Sequence, residues 1–310
     1  MSWFNRFRHH DARSDTQDTQ KAGATDSAGY ILQGGRRRLA AAPYQLPTDM
    51  LETNRLDFQH YMLRYAMRGI YAAPLERPGG ILDVGCGTGR WALEMATIFP
   101  DANVVGVDIT PPAIEDPTTL AGFQTRPDNF AFIQTNILDT PLPFADNTFD
   151  FTHMRLLFLA IPANRWQDVV RELVRVTRPG GWVELVEGGF SQDVGPVSDR
   201  FNHWMDALSR KRGIDISQGA RVGEFLSEAG LVGVQTRTVA LPIGSWGGRA
   251  GQMMESDILA VGAAMRGVII ASGLATEEGF DATTAGSRAE LASDQYRSTF
   301  PFYVAYGQKL

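Results

Sequence analysis

The sequence predicts an α/β fold: a mainly parallel sheet with helices on both faces. Three observations carry this. Apolar runs of strand length alternate with stretches of helical period between residues 81 and 187. One such run (Ile81, Leu82, Val84) stops in the turn Gly85-Cys86-Gly87-Thr88-Gly89, and Trp91, Ala92, Met95, Ala96 and Phe99 then follow at helix spacing. A second run, Val104-Val105-Gly106-Val107, ends in Asp108. Continuous apolar runs are what strands buried on both faces require. The strand–turn–helix junction is also a candidate binding site. Its glycines let a ligand approach the backbone, and the free N–H groups of the first helical turn point at it.

Composition bounds the function. The 310 residues suffice for one large domain or a domain with additions. Apolar content of 44% and charged content of 21% match an ordinary globular protein. A formal net charge of −6 argues against a broad nucleic-acid footprint. Cys86 is the only cysteine, so an intrachain disulfide is excluded and a reducing, cytoplasmic setting is expected. The most apolar late run, 258–271, is interrupted by Gly262, Arg266 and Gly267 and is too short for a membrane span. The first residues lack the apolar core of a signal peptide. No metal ligands are assigned.

Glycine spacing narrows the ligand. A dinucleotide fingerprint is G-x-G-x-x-G, but here the third glycine comes one residue early and Arg90 stands in its place. A nicotinamide-dependent oxidoreductase is therefore disfavoured. No G-x-x-x-x-G-K-[ST] pattern accompanies the turn, which removes a triphosphate loop. Asp83-Val84-Gly85-Cys86-Gly87-Thr88-Gly89 followed by Val107-Asp108 resembles the first two motifs of class I S-adenosylmethionine-dependent methyltransferases. Further on, Leu142-Pro143-Phe144-Ala145-Asp146-Asn147-Thr148-Phe149-Asp150 and Arg178-Pro179-Gly180-Gly181 are similar to later motifs of the same enzymes. The lead-in Tyr44-x-Leu46-Pro47-x-Asp49-x-x-Glu52-x-x-Arg55-Leu56-Asp57-x-Gln59-His60 resembles the LaeA-like (methyltransferase domain 25) group. The resemblance implies a Rossmann-like seven-stranded mixed sheet with the last strand antiparallel. It also implies S-adenosyl-L-methionine as cofactor, with S-adenosyl-L-homocysteine as product, and a lead-in helix lying over the cofactor.

In chain order, residues 1–40 are polar and read as a disordered tail. Residues 41–75 form the lead-in, whose helix starts at Thr48 or Asp49 as N-cap and runs to about residue 71. The methyltransferase domain spans 76–310. Its strands are expected at 81–84, 103–108, 130–135, 149–153, 182–187, 232–241 and 302–308. Helices are expected at 88–99, 164–177, 199–212 and 222–229. Pro111, Pro112 and Pro117 spoil the helix usual after the second strand. A helical insertion at 245–298 carries one long helix, 249–270, then a polar stretch and a short helix at 286–297.

The resemblance implies that Gly85, Cys86, Gly87 and Gly89 take the methionine part and Asp108 the ribose hydroxyls. Asp83 either binds the ligand amino group or buttresses the turn. Asn136 and Ile137 are expected at the adenine, with Ile109 on its face. Met154 and Arg155 are expected at the methionine end, where Arg155 holds the ligand carboxylate or supports the lead-in helix. Tyr44, Arg55 and His60 become candidate pocket residues. His153 is a candidate general base, because imidazole titrates near neutrality, and is otherwise a pocket wall. Glu187 is a candidate for positioning the acceptor and otherwise a structural group. The expected function is methyl transfer to a small, partly apolar molecule such as a secondary metabolite. The alternative is a methyltransferase-like regulator acting through protein partners. Neither nucleic acid nor membrane is expected as a partner, and a homodimer is left open.

Overall fold

The computed structural model describes residues 25–27, 29–40, 42, 44–112, 126–293 and 295–310. The elements, in chain order, begin with β1 (Tyr30–Gln33), β2 (Arg36–Leu39) and α1 (Met50–Met67). Then come β3 (Gly80–Val84), α2 (Arg90–Ile98), β4 (Asn103–Asp108), β5 (Phe130–Gln134) and β6 (Phe149–Arg155). They are followed by α3 (Trp166–Val176), β7 (Thr177–Gly188), α4 (Asp199–Arg210), α5 (Val222–Glu228) and β8 (Val232–Pro242). Last are α6 (Gly248–Ala271), α7 (Glu277–Ala292) and β9 (Thr299–Gln308).

Seven strands form one sheet in the order β5-β4-β3-β6-β7-β9-β8. Strands β5 through β7 run parallel, and β9 lies antiparallel between β7 and β8, which makes the expected Rossmann-like mixed sheet. Strand phase sorts side chains between two layers. Leu82, Val84 and Met154 meet Val169, Val170 and Leu173 of α3 and Phe225 of α5. Ile81 and Phe151 meet Trp91 and Met95 of α2 on the other side. Each such fully buried side chain contributes roughly 1.5–3 kcal/mol.

Three expectations are corrected. Residues 30–39, taken as part of a polar tail, form the β1–β2 hairpin, while residues 1–24 lie outside the described residues. Gly34 and Gly35 take φ of 58° and 73°, the left-handed pair that a two-residue hairpin turn needs. Arg36 Nη2 donates to Asp49 Oδ1 at 2.7 Å, and the buried Arg38 guanidinium donates to the carbonyls of Gln45 and Ala264. At the turn, Gly34 meets Gly267 of α6 backbone to backbone. A Cβ on Gly34 would lie 2.7 Å from the Gly267 Cα.

Helix α1 starts as expected, with Asp49 accepting from Glu52 N at 3.1 Å, but stops at Arg68 (φ 56°). The last helix starts well before residue 286. Thr276 Oγ1 caps α7 by accepting from Gly279 N at 3.0 Å, and Phe280, Thr283, Ser287 and Leu291 turn inward. The proline-broken stretch falls mostly on 113–125, outside the described residues. Helices α1, α4, α6 and α7 build two further apolar clusters, around Met265 and around Met62. Among the described residues no helix is long and apolar enough to cross a membrane.

Candidate active site

Strand β3 sits where the strand order reverses, with β4 on one side and β6 on the other. A crevice opens at the carboxyl end of such a strand. There the chain turns through Gly85, Gly87 and Gly89 with φ of 68°, 53° and 74°, a backbone that favours glycine at all three positions. The turn is tied to β4: Gly85 N and Cys86 N donate to the Val107 carbonyl at 2.8 and 3.0 Å. Asp108, at the end of β4, accepts from Gly87 N at 2.9 Å through Oδ2. Its Oδ1 accepts from Thr110 N at 2.9 Å and Thr110 Oγ1 at 3.1 Å. Burial pushes the Asp108 pKa up. Gly89 caps α2 with no side-chain hydrogen bond.

Helix α1 roofs this turn. The Leu56 Cδ1 lies 3.9 Å from where a Cβ on Gly87 would stand. Ion pairs fasten α1 to α2: Arg90 Nη2 to Asp57 Oδ2 at 2.6 Å, and Arg64 Nη1 to Glu94 Oε1 at 3.0 Å. His60 is buried beneath α1, with Nε2 3.2 Å from Glu94 Oε1. Its Nδ1 accepts from Arg155 Nη2 at 3.2 Å, a pattern that assigns the ring proton to Nε2. Burial lowers the pKa of His60 and keeps it neutral. Arg155 has no carboxylate within ion-pair reach among the described residues, and burial lowers its pKa too.

Several expected ligand residues have other work. Met154 is wholly buried in the sheet core and faces away from the crevice. The Cys86 thiol packs on Gly106, where a Cβ would come within 3.0 Å of Sγ, and burial raises its pKa well above that of a free thiol. It fills space. Asp83 and His153 lie in register on β3 and β6, and Oδ1 and Nδ1 are 3.0 Å apart. The His153 ring is 0% exposed and stacks on Trp91 at 3.8 Å and 4°. A base sealed this way cannot reach a substrate proton, so the general-base assignment gives way to buttressing of the turn. Asn136 Oδ1 accepts from Leu138 N at 3.0 Å, and Ile137 packs on the sheet core. The carbonyl of Ile109 accepts from Gln134 Nε2 at 2.9 Å. These three stay at the carboxyl ends of β4 and β5, beside Asp108.

Glu187 is also 0% exposed. It accepts from Leu157 N at 3.1 Å and Phe158 N at 2.9 Å. It therefore holds the segment after β6, whose Leu157 packs 2.7 Å from where a Cβ on Gly85 would stand. It positions that segment and does not face a substrate. Burial pushes its pKa up to about 8, and also raises those of Asp108, Glu184 and Asp257. A carboxyl whose folded pKa exceeds its unfolded one holds more protons when folded. Stability from these groups is thus full at low pH and is lost as pH rises to the folded pKa. For Glu187 the window runs from the ordinary glutamate value of 4.5 to about 8. The slope is at most about 1.4 kcal/mol per pH unit for one group. His60, with its lowered pKa, acts in the opposite sense up to the ordinary imidazole value of 6.5, so we expect the melting temperature to fall between pH 6.5 and 8, and Glu187→Gln to flatten that fall. A rise over the same window in scanning calorimetry would refute it.

Beyond the carboxyl ends of β6 and β7 lies a cavity of about 250 Å³. Leu56 and Arg55 of α1, Leu156 and Phe158, Phe201 of α4, Met265 of α6 and Phe280 of α7 help to line it. Tyr44 lines it as well. Arg55 turns away from the glycine turn: Nη2 meets Glu52 Oε1 at 2.6 Å and Nη1 meets Asp257 Oδ1 at 2.8 Å. Asp257 was missed from sequence, although it is an acid in phase with the buried Met254, Ala264 and Val268 on an otherwise apolar helix face.

A model of the methyltransferase domain family matches residues 81–181. The N-methyltransferase sirN of Leptosphaeria maculans is 32% identical over 71% of this chain and 78% of its own length. The chain belongs to this methyltransferase family. The secondary metabolism regulator laeA of Monascus pilosus is 31% identical over 70% of this chain, and the match spans little more than half (58%) of that protein. The methyltransferase pytC of Aspergillus terreus is 27% identical over 95% of this chain and 93% of its own length. The cofactor of these methyltransferases is S-adenosyl-L-methionine. The site fits it: a half-buried guanidinium with no carboxylate partner among the described residues and a half-buried carboxylate at a strand end flank the glycine turn.

Proposed function

We propose that this methyltransferase acts on a small, partly apolar molecule held in the 250 Å³ cavity. The observation that carries the reading is the position of Leu56, whose Cδ1 stands 3.9 Å from where a Cβ on Gly87 would lie and which also lines the cavity. Donor and acceptor sites thus share one wall. On this reading the glycine turn accommodates the amino-acid end of the cofactor and Arg155 takes its carboxylate. Asp108 accepts from the ribose hydroxyls, Asn136 and Ile137 flank the adenine, and Ile109 covers its face. When bound, the cofactor supplies a methyl group on a sulfonium centre, activated for in-line displacement.

The chain adds alignment and exclusion of water. Glu187 fixes Leu157 against the turn and Phe158 against the cavity, so both halves keep one geometry. His153 and Asp83 stiffen the turn from below. Neither His153 nor Glu187 is assigned a proton-transfer step.

The acceptor reading is tested with methyl-tritiated S-adenosylmethionine in a cell extract of the source organism. Label is expected in extractable small molecules. Label found only in protein would favour the second reading, a regulator working on partner proteins. One observation supports that alternative: the outward face of α1 exposes Leu51, Phe58, Tyr61 and Tyr65.

A further inference from the structure

The wall of the cavity is mainly apolar, with uncharged polar groups at Ser191, Asn202, Thr284 and Ser287, and among the described residues its buried charged groups meet at one corner, formed by Arg55, Gln59 and Asp257. Asp257 is 2% exposed; its Oδ1 accepts from Arg55 and its Oδ2 from Gln59 Nε2 at 2.9 Å. The other side of Arg55 is taken by Glu52, also 2% exposed, through Nε at 3.0 Å and Nη2 at 2.6 Å. Two carboxylates therefore enclose one guanidinium, and a negative charge is left over. Tyr44 adds a phenol to this wall, and after burial the fields of Glu52, Asp108 and Asp257 raise its pKa. The remaining charged groups on the lining, Arg266 and Arg288, are at the rim. Arg266 is already paired with Glu277 at 3.4 Å and Asp281 at 3.3 Å, and Arg288 is exposed to water, which screens it. Burial raises the Asp257 pKa, so its charge is costly there unless a counter-charge meets it and holds it ionised.

We infer that the acceptor is an apolar molecule bearing a protonated amine, and that the amine seats beside Asp257 at the Arg55–Gln59–Asp257 corner. This rests on the cavity being the acceptor site, as proposed above. The cation need not be the atom that is methylated. It selects the molecule and fixes which end enters first, because an anionic end is repelled and a neutral polar end gains little.

Three probes of one shape separate the possibilities: 4-phenylbutylamine, 4-phenylbutanol and 4-phenylbutyrate. Each is titrated calorimetrically into the protein saturated with S-adenosylhomocysteine at pH 7.5. The amine is expected to bind about tenfold more tightly than the alcohol, a difference of about 1.4 kcal/mol, with the acid weakest. Asp257→Asn still accepts from Arg55, and Gln59 meets the new amide by turning over its own, so shape is kept while the charge is lost. The variant is expected to bind amine and alcohol alike, with alcohol affinity unchanged.

Equal binding of amine and alcohol to the wild type overturns the inference and leaves the cavity reading standing. So does a variant that loses affinity for S-adenosylmethionine but not for the amine, since the corner then serves the sulfonium. Failure of all three probes to bind removes the cavity reading itself, and the inference with it. If Asp257→Asn does not fold, the wild-type series alone decides.

Discussion

Asp108→Ala is expected to raise the dissociation constant for S-adenosylmethionine at least about 100-fold, because hydrogen bonds to a charged group are worth roughly 1.5–3 kcal/mol each. Two losses combine. On the proposed reading the ribose hydroxyls lose their acceptor, and Gly87 N loses the Oδ2 that orders the turn. Stability should change little. Asp108 stands at a strand end, and its burial already penalises the charged form. Asp108→Asn keeps one acceptor oxygen and is expected to lose about tenfold. Calorimetric titration measures both variants. An alanine variant with wild-type affinity would move the cofactor away from the end of β4.

The largest effect on stability is expected from Trp91→Ala, a loss of about 3–5 kcal/mol and a fall in melting temperature on the order of 10 °C. The indole is 2% exposed, and its Nε1 donates to the Ile70 carbonyl at 2.7 Å. It is also the plate on which His153 lies. Truncation opens a cavity, strands the Ile70 carbonyl and unseats the imidazole that holds Asp83. Loss of cofactor affinity should therefore accompany loss of stability. Trp91→Phe keeps a ring under His153 but not the donor, and is expected to lose about half as much. Urea unfolding read by far-ultraviolet circular dichroism measures the ladder. An alanine variant within about 1 kcal/mol of wild type would show that the layer between β3 and α2 is not closely packed.

The parts legible in sequence are those where one physical signal dominates. Continuous apolar runs placed β3 and β4, and three glycines in five residues placed the turn. The hairpin was hidden because β2 carries three arginines, so its strand character did not register as hydropathy. Its signal was Gly34-Gly35, a two-residue turn between strand-length runs. Helix α7 was cut short in the same way, since Thr283 and Ser287 stand where larger apolar residues would have announced a buried face. His153 and Glu187 misled for a different reason. A titratable residue near a strand end looks catalytic, but strand phase decides which way it points. His153 is in phase with Phe151, which faces α2, and Glu187 with Leu185, in the opposite core layer. Composition carries no such information. Asp257 reaches Arg55 across 202 positions of chain, and no local pattern foretells that pairing.

Leu56 limits how such an enzyme can be re-engineered. One side chain borders both compartments, so enlarging the acceptor space by trimming it would also loosen the roof over the donor. Broader substrate scope is better sought at Phe201 and Phe280, on helices that stand clear of the glycine turn, where volume can be exchanged without disturbing the grip on the nucleoside.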